Sequence, residues 1–281
     1  MLRIAVPNKG TLSAPATAML AEAGYRQRSD DRDLVCRDDA NSVEFLYLRP
    51  RDIATYVASG DLDLGITGRD LLIDSAVAAV EVLDLDFAPA TFRFAATPGT
   101  VASVDALAGR RVATAYPGVV ERYFADNGID ATVVRLDGAV ENAIRLGVAD
   151  VIADVVATGS TLRQAGLETI GKPILESTAL LIGREGVGAT PGVSQLVRRL
   201  QGVLVARRYV MLAYDVRADN LDNAVALTPG IESPTISPLH REGWVAVQAM
   251  VLRTDVHRIM DELYDVGARA ILVTALDACR L

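Results

Sequence analysis

The chain has 281 residues, 51% hydrophobic and 23% charged, which suits a folded protein of about two domains and excludes disorder across its length. Lys and Arg number 28 against 36 Asp and Glu, a formal charge of −8 that disfavours nonspecific nucleic-acid binding. No apolar run approaches the ~18 residues of a membrane span, and two cysteines and two histidines leave no disulfide framework, zinc ribbon or His-rich metal site. The first residues run directly into a strand-like segment without the regions of a signal peptide, so the expected location is cytoplasmic.

Short apolar runs then alternate with helical stretches, the pattern of an α/β body. The pattern predicts a strand over 2–7 and a helix over 12–23, with Thr11 a candidate N-cap and Gly24 its stop. A strand over 44–48, a helix over 52–58, a strand over 62–67, a helix from Arg69 and a strand over 80–87 follow. After an apolar segment at 92–96 the rhythm restarts: strand 111–115, helix 119–127, strand 132–136, helix 140–146 and strand 151–156. A helix from Thr161, a strand over 174–182 and a long helix over 193–206 complete this part.

The last seventy or so residues, 209–275, read β, α, β, β, α, β: strands at 209–216, 231–237, 245–252 and 270–275, helices at 220–226 and 256–266. That order is the ferredoxin-like split motif. A weak internal repeat also stands out. Residues 53–59 lead into Gly60-Asp-Leu-Asp63 and a buried strand, and residues 140–146 lead into Gly147-Val-Ala-Asp150 and another. Two similar lobes facing across a cleft would give this pattern, as would any two αβ units.

The strongest chemical motif is Asp154-Val-Val-Ala-Thr158-Gly159-Ser160-Thr161. A strand delivers Asp154 at its carboxyl end, and the Thr-Gly-Ser-Thr turn opens a helix whose backbone N–H groups and hydroxyls suit a phosphate. An aspartate before such a cradle would accept hydrogen bonds from ribose hydroxyls or hold Mg²⁺ through water. A plain capped turn would use the same residue types. Lys9 and Gly10 follow the first strand at a second strand-to-helix junction, and Arg49, Arg69 and Asp70 stand at further strand ends, which border the ligand crevice in an open α/β sheet. Lys9, Arg49 and Arg69 together would supply the positive charge that an anionic substrate requires. Surface ion pairing is the alternative for each arginine. Residues Gly166 to Pro173 imitate a P-loop, but Pro173 stands where the magnesium-binding hydroxyl belongs, and the stretch reads as a turn between strands.

Taken in order, Val6-Pro-Asn-Lys-Gly10, Leu48-Arg-Pro-Arg-Asp52, Asp63-Leu-Gly-Ile-Thr-Gly-Arg-Asp70, Leu136-Asp-Gly-Ala-Val-Glu141, the block from Ala149 to Thr161 and Leu227-Thr-Pro-Gly-Ile-Glu-Ser-Pro-Thr235 resemble the long form of the ATP phosphoribosyltransferase family. The resemblance implies a two-lobed catalytic body like the type II periplasmic binding proteins, with lobe I over 1–92 completed by about 183–207 and lobe II over 93–182. It implies a ferredoxin-like regulatory domain over 208–281. It further implies Mg²⁺ dependence, feedback inhibition by histidine, and homodimers that assemble into hexamers. The substrates it implies are ATP and phosphoribosyl pyrophosphate, with no nucleic-acid or membrane partner.

On the same resemblance Thr158, Gly159, Ser160 and Thr161 hold the 5-phosphate and Asp154 the ribose, while Lys9, Arg49 and Glu141 lie in the catalytic cleft. Gly10, Asp70 and Leu71 lie at the nucleotide, and Asp215, Ile231, Ser233, Thr235 and Ala270 at the inhibitor. Many other phosphoribosyltransferases carry an acidic pair before the Thr-Gly turn. Here Val155 stands in the place of the second acid. A non-catalytic two-lobed protein that binds or senses a small anion is the alternative reading, since fold alone does not fix function.

Overall fold

Burial along β1 (Leu2–Pro7) is nearly continuous, broken only at Arg3, which is the environment of a parallel strand covered on both faces. The computed structural model describes residues 1–156 and 159–280. After β1 come α1 (Ser13–Glu22), β2 (Val35–Asp38), β3 (Val43–Leu48), α2 (Pro50–Ser59), β4 (Leu64–Gly68), α3 (Arg69–Ser75) and β5 (Val80–Asp84). The chain crosses to β6 (Ala90–Ala96), β7 (Arg111–Thr114), α4 (Pro117–Asn127), β8 (Thr132–Arg135), β9 (Val151–Val156), α5 (Ser160–Gln164) and β10 (Glu168–Ser177). It then returns as β11 (Ala179–Gly183).

The first sheet has the order β2-β3-β1-β4-β11-β5 and the second β10-β6-β9-β7-β8. β3, β1 and β4 are mutually parallel, as are β8, β7 and β9. In each sheet the next strand is antiparallel: β11 against β4 and β6 against β9. Each lobe therefore takes one strand from the segment that crosses between them, and a two-lobed α/β body results. Ala5, Ile53, Val57, Leu180 and Ile182 pack the first lobe, and Phe92, Phe94, Val112, Phe124 and Val151 the second.

The turn-and-strand part of the weak sequence repeat recurs in the structure, whereas its helical part does not, since only residues 53–59 are an α-helix. In the first lobe the Arg3 N–H donates to Asp63 Oδ2 at 2.8 Å and the Asp63 N–H returns a bond to the Arg3 carbonyl at 3.0 Å. In the second, the Arg111 N–H donates to Asp150 Oδ2 at 2.9 Å and the Asp150 N–H bonds the Arg111 carbonyl at 2.9 Å. The Gly-x-x-Asp turn in each lobe thus ties the third parallel strand to the start of the first.

The chain forms two compact units, Met1–Ala21 with Tyr25–Ser194, and Glu22–Gly24 with Gln195 onward. The second unit follows the helix α6 (Val193–Arg208) with β12 (Tyr209–Arg217), α7 (Leu221–Leu227), β13 (Thr235–Pro238), β14 (Trp244–Leu252), α8 (Val256–Asp265) and β15 (Arg269–Ala275). Its sheet order is β13-β14-β12-β15 with every pairing antiparallel, the ferredoxin-like arrangement. Alternate residues of β12, from Val210 to Val216, bury against Ile259 and Leu263 of α8, and the Tyr214 hydroxyl meets Thr228 Oγ1 at 2.7 Å.

Several segments differ from the sequence reading. The strand read over 231–237 spans only Thr235–Pro238, so Ile231 and Ser233 lie in the connection before it. β2 is an additional edge strand, whose charged Arg37 and Asp38 conceal its alternating burial. The strand read over 174–182 is two strands, divided at Thr178 where the chain changes sheets. The turn read at 166–173 lies largely within β10, where Gly171 at φ 64° accompanies a register shift between Ile170 and Leu175. The helix read over 140–146 is a single 3₁₀ turn, Val140–Asn142, followed by turns to Gly147. Ala139 at φ 48° and Gly147 at φ 69° bound it too closely for the i to i−4 ladder to repay its nucleation.

β4 runs close under α2. A Cβ added at Gly65 would collide with Ile53 Cγ2 and stand 3.1 Å from Val57 Cγ2. Gly65→Ala is expected to cost about 1–3 kcal/mol by overpacking, measured as a lower urea midpoint at constant slope. An unchanged midpoint would contradict this packing of α2 on β4.

Candidate active site

The carboxyl ends of the parallel strands place the chemistry-bearing turns. After β1, Asn8 and Lys9 lead to Gly10, whose φ of 76° demands a glycine although a Cβ there would meet nothing within 4 Å. After β3, Arg49 is extended (φ −66°, ψ 133°) and Pro50 opens α2, the position where proline's missing N–H costs nothing. After β4, Gly68 enters α3 with Arg69, Asp70 and Leu71. Lys9, Gly10, Arg49, Asp70 and Leu71 line one cavity of about 460 Å³, which Tyr116 and Val155 of the second lobe also line.

Asp70 is only 8% exposed, and a buried carboxylate is tolerable only when hydrogen-bonded. Ser177 supplies the bond: its Oγ donates to Asp70 Oδ1 at 2.8 Å and accepts the Asp70 N–H at 3.1 Å. The carboxylate folds back over Gly68, where an added Cβ would collide with Oδ1. Glycine at 68 is therefore a condition of this geometry.

Asp154, Glu141, Gly159, Ser160 and Thr161 line a second pocket of about 190 Å³, and Val155 lines both. Gly159 has φ 70°, and a Cβ there would stand 3.1 Å from Arg163 Nη1. Asp154 Oδ1 accepts the Val155 N–H at 2.8 Å. Burial pushes the Asp154 carboxyl above the usual range; the Val155 bond opposes this and the charge of Glu141 adds to it. Thr158 lies outside the described residues.

The sequence places Arg51 at a strand end beside Arg49 but not its partners, and two residues that line the cavity, Tyr116 and Ser177, are not reached by sequence reasoning. Arg51 places Nη1 at 3.3 Å from Asp74 Oδ2 and 2.9 Å from the Ala115 carbonyl, with its Cζ 4.4 Å from the centre of the Tyr116 ring. Burial raises the Tyr116 phenol well above its ordinary value, with the Asp70 charge adding to the shift, so it faces the cavity as a neutral hydroxyl. Ser177 is the other, distant by 107 residues from the carboxylate it holds. The Tyr116-Pro117-Gly118 helix start was the available signal for Tyr116. Conversely, Arg69 is not a source of free positive charge: it pairs with Glu81 at 3.0 Å and Asp84 at 3.2 Å.

In the second unit, Thr235 lies on edge strand β13 and Ala270 on the opposite edge strand β15, with a φ of 49°. Asp215 on β12 pairs with Arg269, next to Ala270. Ile231 and Ser233 precede β13 and are exposed. Among the described residues no group of three or more His, Cys, Asp or Glu is placed to hold a metal ion, and no helix is long and apolar enough to cross a membrane.

The body is two-lobed α/β, with cationic strand-end turns on one pocket and a hydroxyl-bearing turn on a second, the class of architecture seen in two-lobed ligand-binding proteins and enzymes. Residues 49–202 match the family ATP phosphoribosyltransferase, and residues 206–278 match "HisG, C-terminal domain". The ATP phosphoribosyltransferase of Salinispora tropica is 70% identical over 281 residues, and that of Streptomyces avermitilis 64% identical over 285; each alignment covers all of both chains. Among solved structures, the ATP phosphoribosyl transferase (HisG:HisZ) complex from Thermotoga maritima has a chain that is 25% identical at a TM-score of 0.63, covering 73% of this chain and 98% of that one.

The chain belongs to the ATP phosphoribosyltransferase family in its long form, pentosyltransferases of the first step of histidine biosynthesis. ATP and phosphoribosyl pyrophosphate are accordingly its substrates, and the alternative of a non-catalytic sensor is set aside.

A carboxyl whose pKa is raised on folding favours the protonated folded state, so its ionisation at neutral pH costs stability. That cost is absent below the unfolded range near 4 and complete above the folded pKa. Asp154→Asn is therefore expected to raise the thermal midpoint at pH 7.5, with the gain shrinking as pH falls toward about 4. A variant less stable than its parent at pH 7.5 would contradict the buried-carboxylate assignment.

Proposed function

We propose that the two pockets hold the two substrates of one displacement. The observation that carries this is Val155, which lines both pockets, so that a sugar seated in the smaller one borders an acceptor in the larger. Thr158, Gly159, Ser160 and Thr161 hold the 5-phosphate of phosphoribosyl pyrophosphate, and Asp154 receives the ribose hydroxyls. Asp70, Leu71 and Gly10 hold the nucleotide. Lys9 and Arg49, on the same cavity, neutralise charge on the departing pyrophosphate.

Adenine N1 of ATP gives its lone pair to C1 of the sugar as the bond from C1 to the pyrophosphate oxygen breaks with its electron pair. Positive charge grows on the ribose ring and negative charge on the leaving group. Positioned charge, rather than a nucleophilic side chain, lowers the barrier. Asp154 and Glu141, which line the smaller pocket, face the cationic ring as it develops. The same two carboxylates would hold a Mg²⁺ ion through water, and such an ion would supply positive charge toward the leaving pyrophosphate.

For regulation we assign residues 208–281 to histidine. Thr235 and Ala270 stand three strand steps apart across the sheet, about 14 Å at the usual spacing, and one histidine does not bridge them within a copy. The inhibitor is held between copies, with Ile231, Ser233 and Thr235 from one and Asp215 and Ala270 from another, which agrees with a dimer that builds a hexamer. A cytoplasmic location suits these substrates.

The test mixes the protein with ATP, phosphoribosyl pyrophosphate, Mg²⁺ and a pyrophosphatase and follows adduct absorbance in the near ultraviolet, with and without histidine. Histidine-sensitive product is expected, and product insensitive to histidine would overturn the regulatory assignment. Thr161→Val is expected to raise KM for phosphoribosyl pyrophosphate about 10- to 100-fold, the effect of losing one hydrogen bond to a charged group. An unchanged KM would sink the cradle.

A further inference from the structure

The start of α4 lacks a cap of its own. Tyr116 occupies the N-cap position and makes no side-chain cap bond, although the first N–H groups of a helix require partners. The partner comes from the other lobe: Asp74, in α3, accepts the Gly118 N–H on Oδ1 at 2.9 Å. The other oxygen of the same carboxylate is 3.3 Å from Arg51 Nη1. Arg51 in turn reaches the Ala115 carbonyl and stacks on Tyr116, so one carboxylate engages both lobes. Asp74 itself does not line the cavity, whereas Arg51 and Tyr116 do.

Gly118 is an independent sign of this contact. A Cβ there would collide with the Asp74 carbonyl oxygen and stand 3.0 Å from its carbon, with no flexible side chain to yield. Residue 118 must be glycine for α3 and α4 to approach this closely.

We propose that Asp74 is a positioning residue for phosphoribosyl transfer: its carboxylate holds the two lobes at the separation at which Arg51 and Tyr116 wall the substrate cavity. This rests on the reading of that cavity as the substrate cleft. Removing the bond lowers the fraction of molecules with a competent cleft, and apparent affinity falls in proportion to that fraction. Saturating substrates draw the population back, so KM rises while kcat is retained. A merely structural lesion does the reverse: it reduces the amount of folded enzyme, and with it the apparent kcat, at unchanged KM.

The test is steady-state kinetics on the full-length protein for Asp74→Ala, Asp74→Asn, Gly118→Ala and, as a control for the cleft, Lys9→Ala. Asp74→Ala and Gly118→Ala are expected to raise KM for both substrates about tenfold, the effect of a lost charge-assisted bond, with kcat within threefold of the parent. Asp74→Asn keeps an oxygen for the Gly118 N–H but no charge for Arg51, and falls between; it decides the matter if Asp74→Ala does not fold. A lowered kcat at unchanged KM in the Asp74 and Gly118 variants would overturn the proposal. Unchanged constants in those variants beside a lowered kcat or a raised KM in Lys9→Ala would refute it while leaving the cleft assignment standing. Unchanged constants in all four would overturn the cleft assignment itself.

Discussion

The hydrogen bond between Ser177 and Asp70 is the contact on which the cleft depends. Ser177 ends the last strand of the second sheet, and Asp70 sits in the first turn of a helix that leaves the first sheet. The bond therefore joins the lobes at the place where the chain returns from one to the other. One residue further on, the Thr178 carbonyl accepts the Arg69 N–H at 3.0 Å, and the Ala179 N–H meets the Phe87 carbonyl at 3.0 Å. The outgoing and returning segments are thus bonded to each other as well as to the helix start. Without the serine, a nearly buried carboxylate would lose a donor at a cost of roughly 1–3 kcal/mol, leaving the Tyr116 hydroxyl to hold it.

Both lobes carry out one plan, and this explains why the site has two pockets. Each has three parallel strands, a Gly-x-x-Asp clamp on the first strand, and an antiparallel fourth strand given by the crossing chain. In the first lobe the third strand ends in Thr67-Gly68 before α3; in the second, Gly159 directly precedes α5, and the sequence there also reads Thr-Gly. Equivalent turns of the two lobes thus supply the cavity and the smaller pocket. Their residues then diverge. The first turn carries a buried aspartate, and the second carries hydroxyls, with the acid moved back to Asp154 on the strand.

Much of this was legible in the sequence, because the signals involved are local. The βαββαβ order of the last module, the strand-end placement of Lys9, Arg49 and Asp154, and the repeated Gly-x-x-Asp turn all depend on spacing within one supersecondary unit. What sequence reasoning does not reach depends on residues far apart. Arg51, Asp74 and Ala115 meet only after the lobes pack, and each alone is an unremarkable surface type. Arg69 shows the converse: its strand-end position suggests a ligand contact, but Glu81 and Asp84, ordinary residues of the next strand, occupy its guanidinium. The strand division at Thr178 is hidden for a related reason. Ile174-Leu175 and Ala179 to Ile182 are apolar, and the three polar residues between them, Glu176-Ser177-Thr178, are too few to mark a break without the topology of the two sheets.

The account's central claim is that the two lobes bind the two substrates across one shared wall. Hydrogen exchange followed by mass spectrometry, with each substrate alone and with ATP beside an unreactive analogue of the donor, tests it most directly. Phosphoribosyl pyrophosphate is predicted to slow exchange at residues 159–162, and the nucleotide at residues 9–12 and 68–71. Together they should protect both sets and the start of α4. Protection confined to one lobe, or appearing only beyond residue 208, would contradict the account.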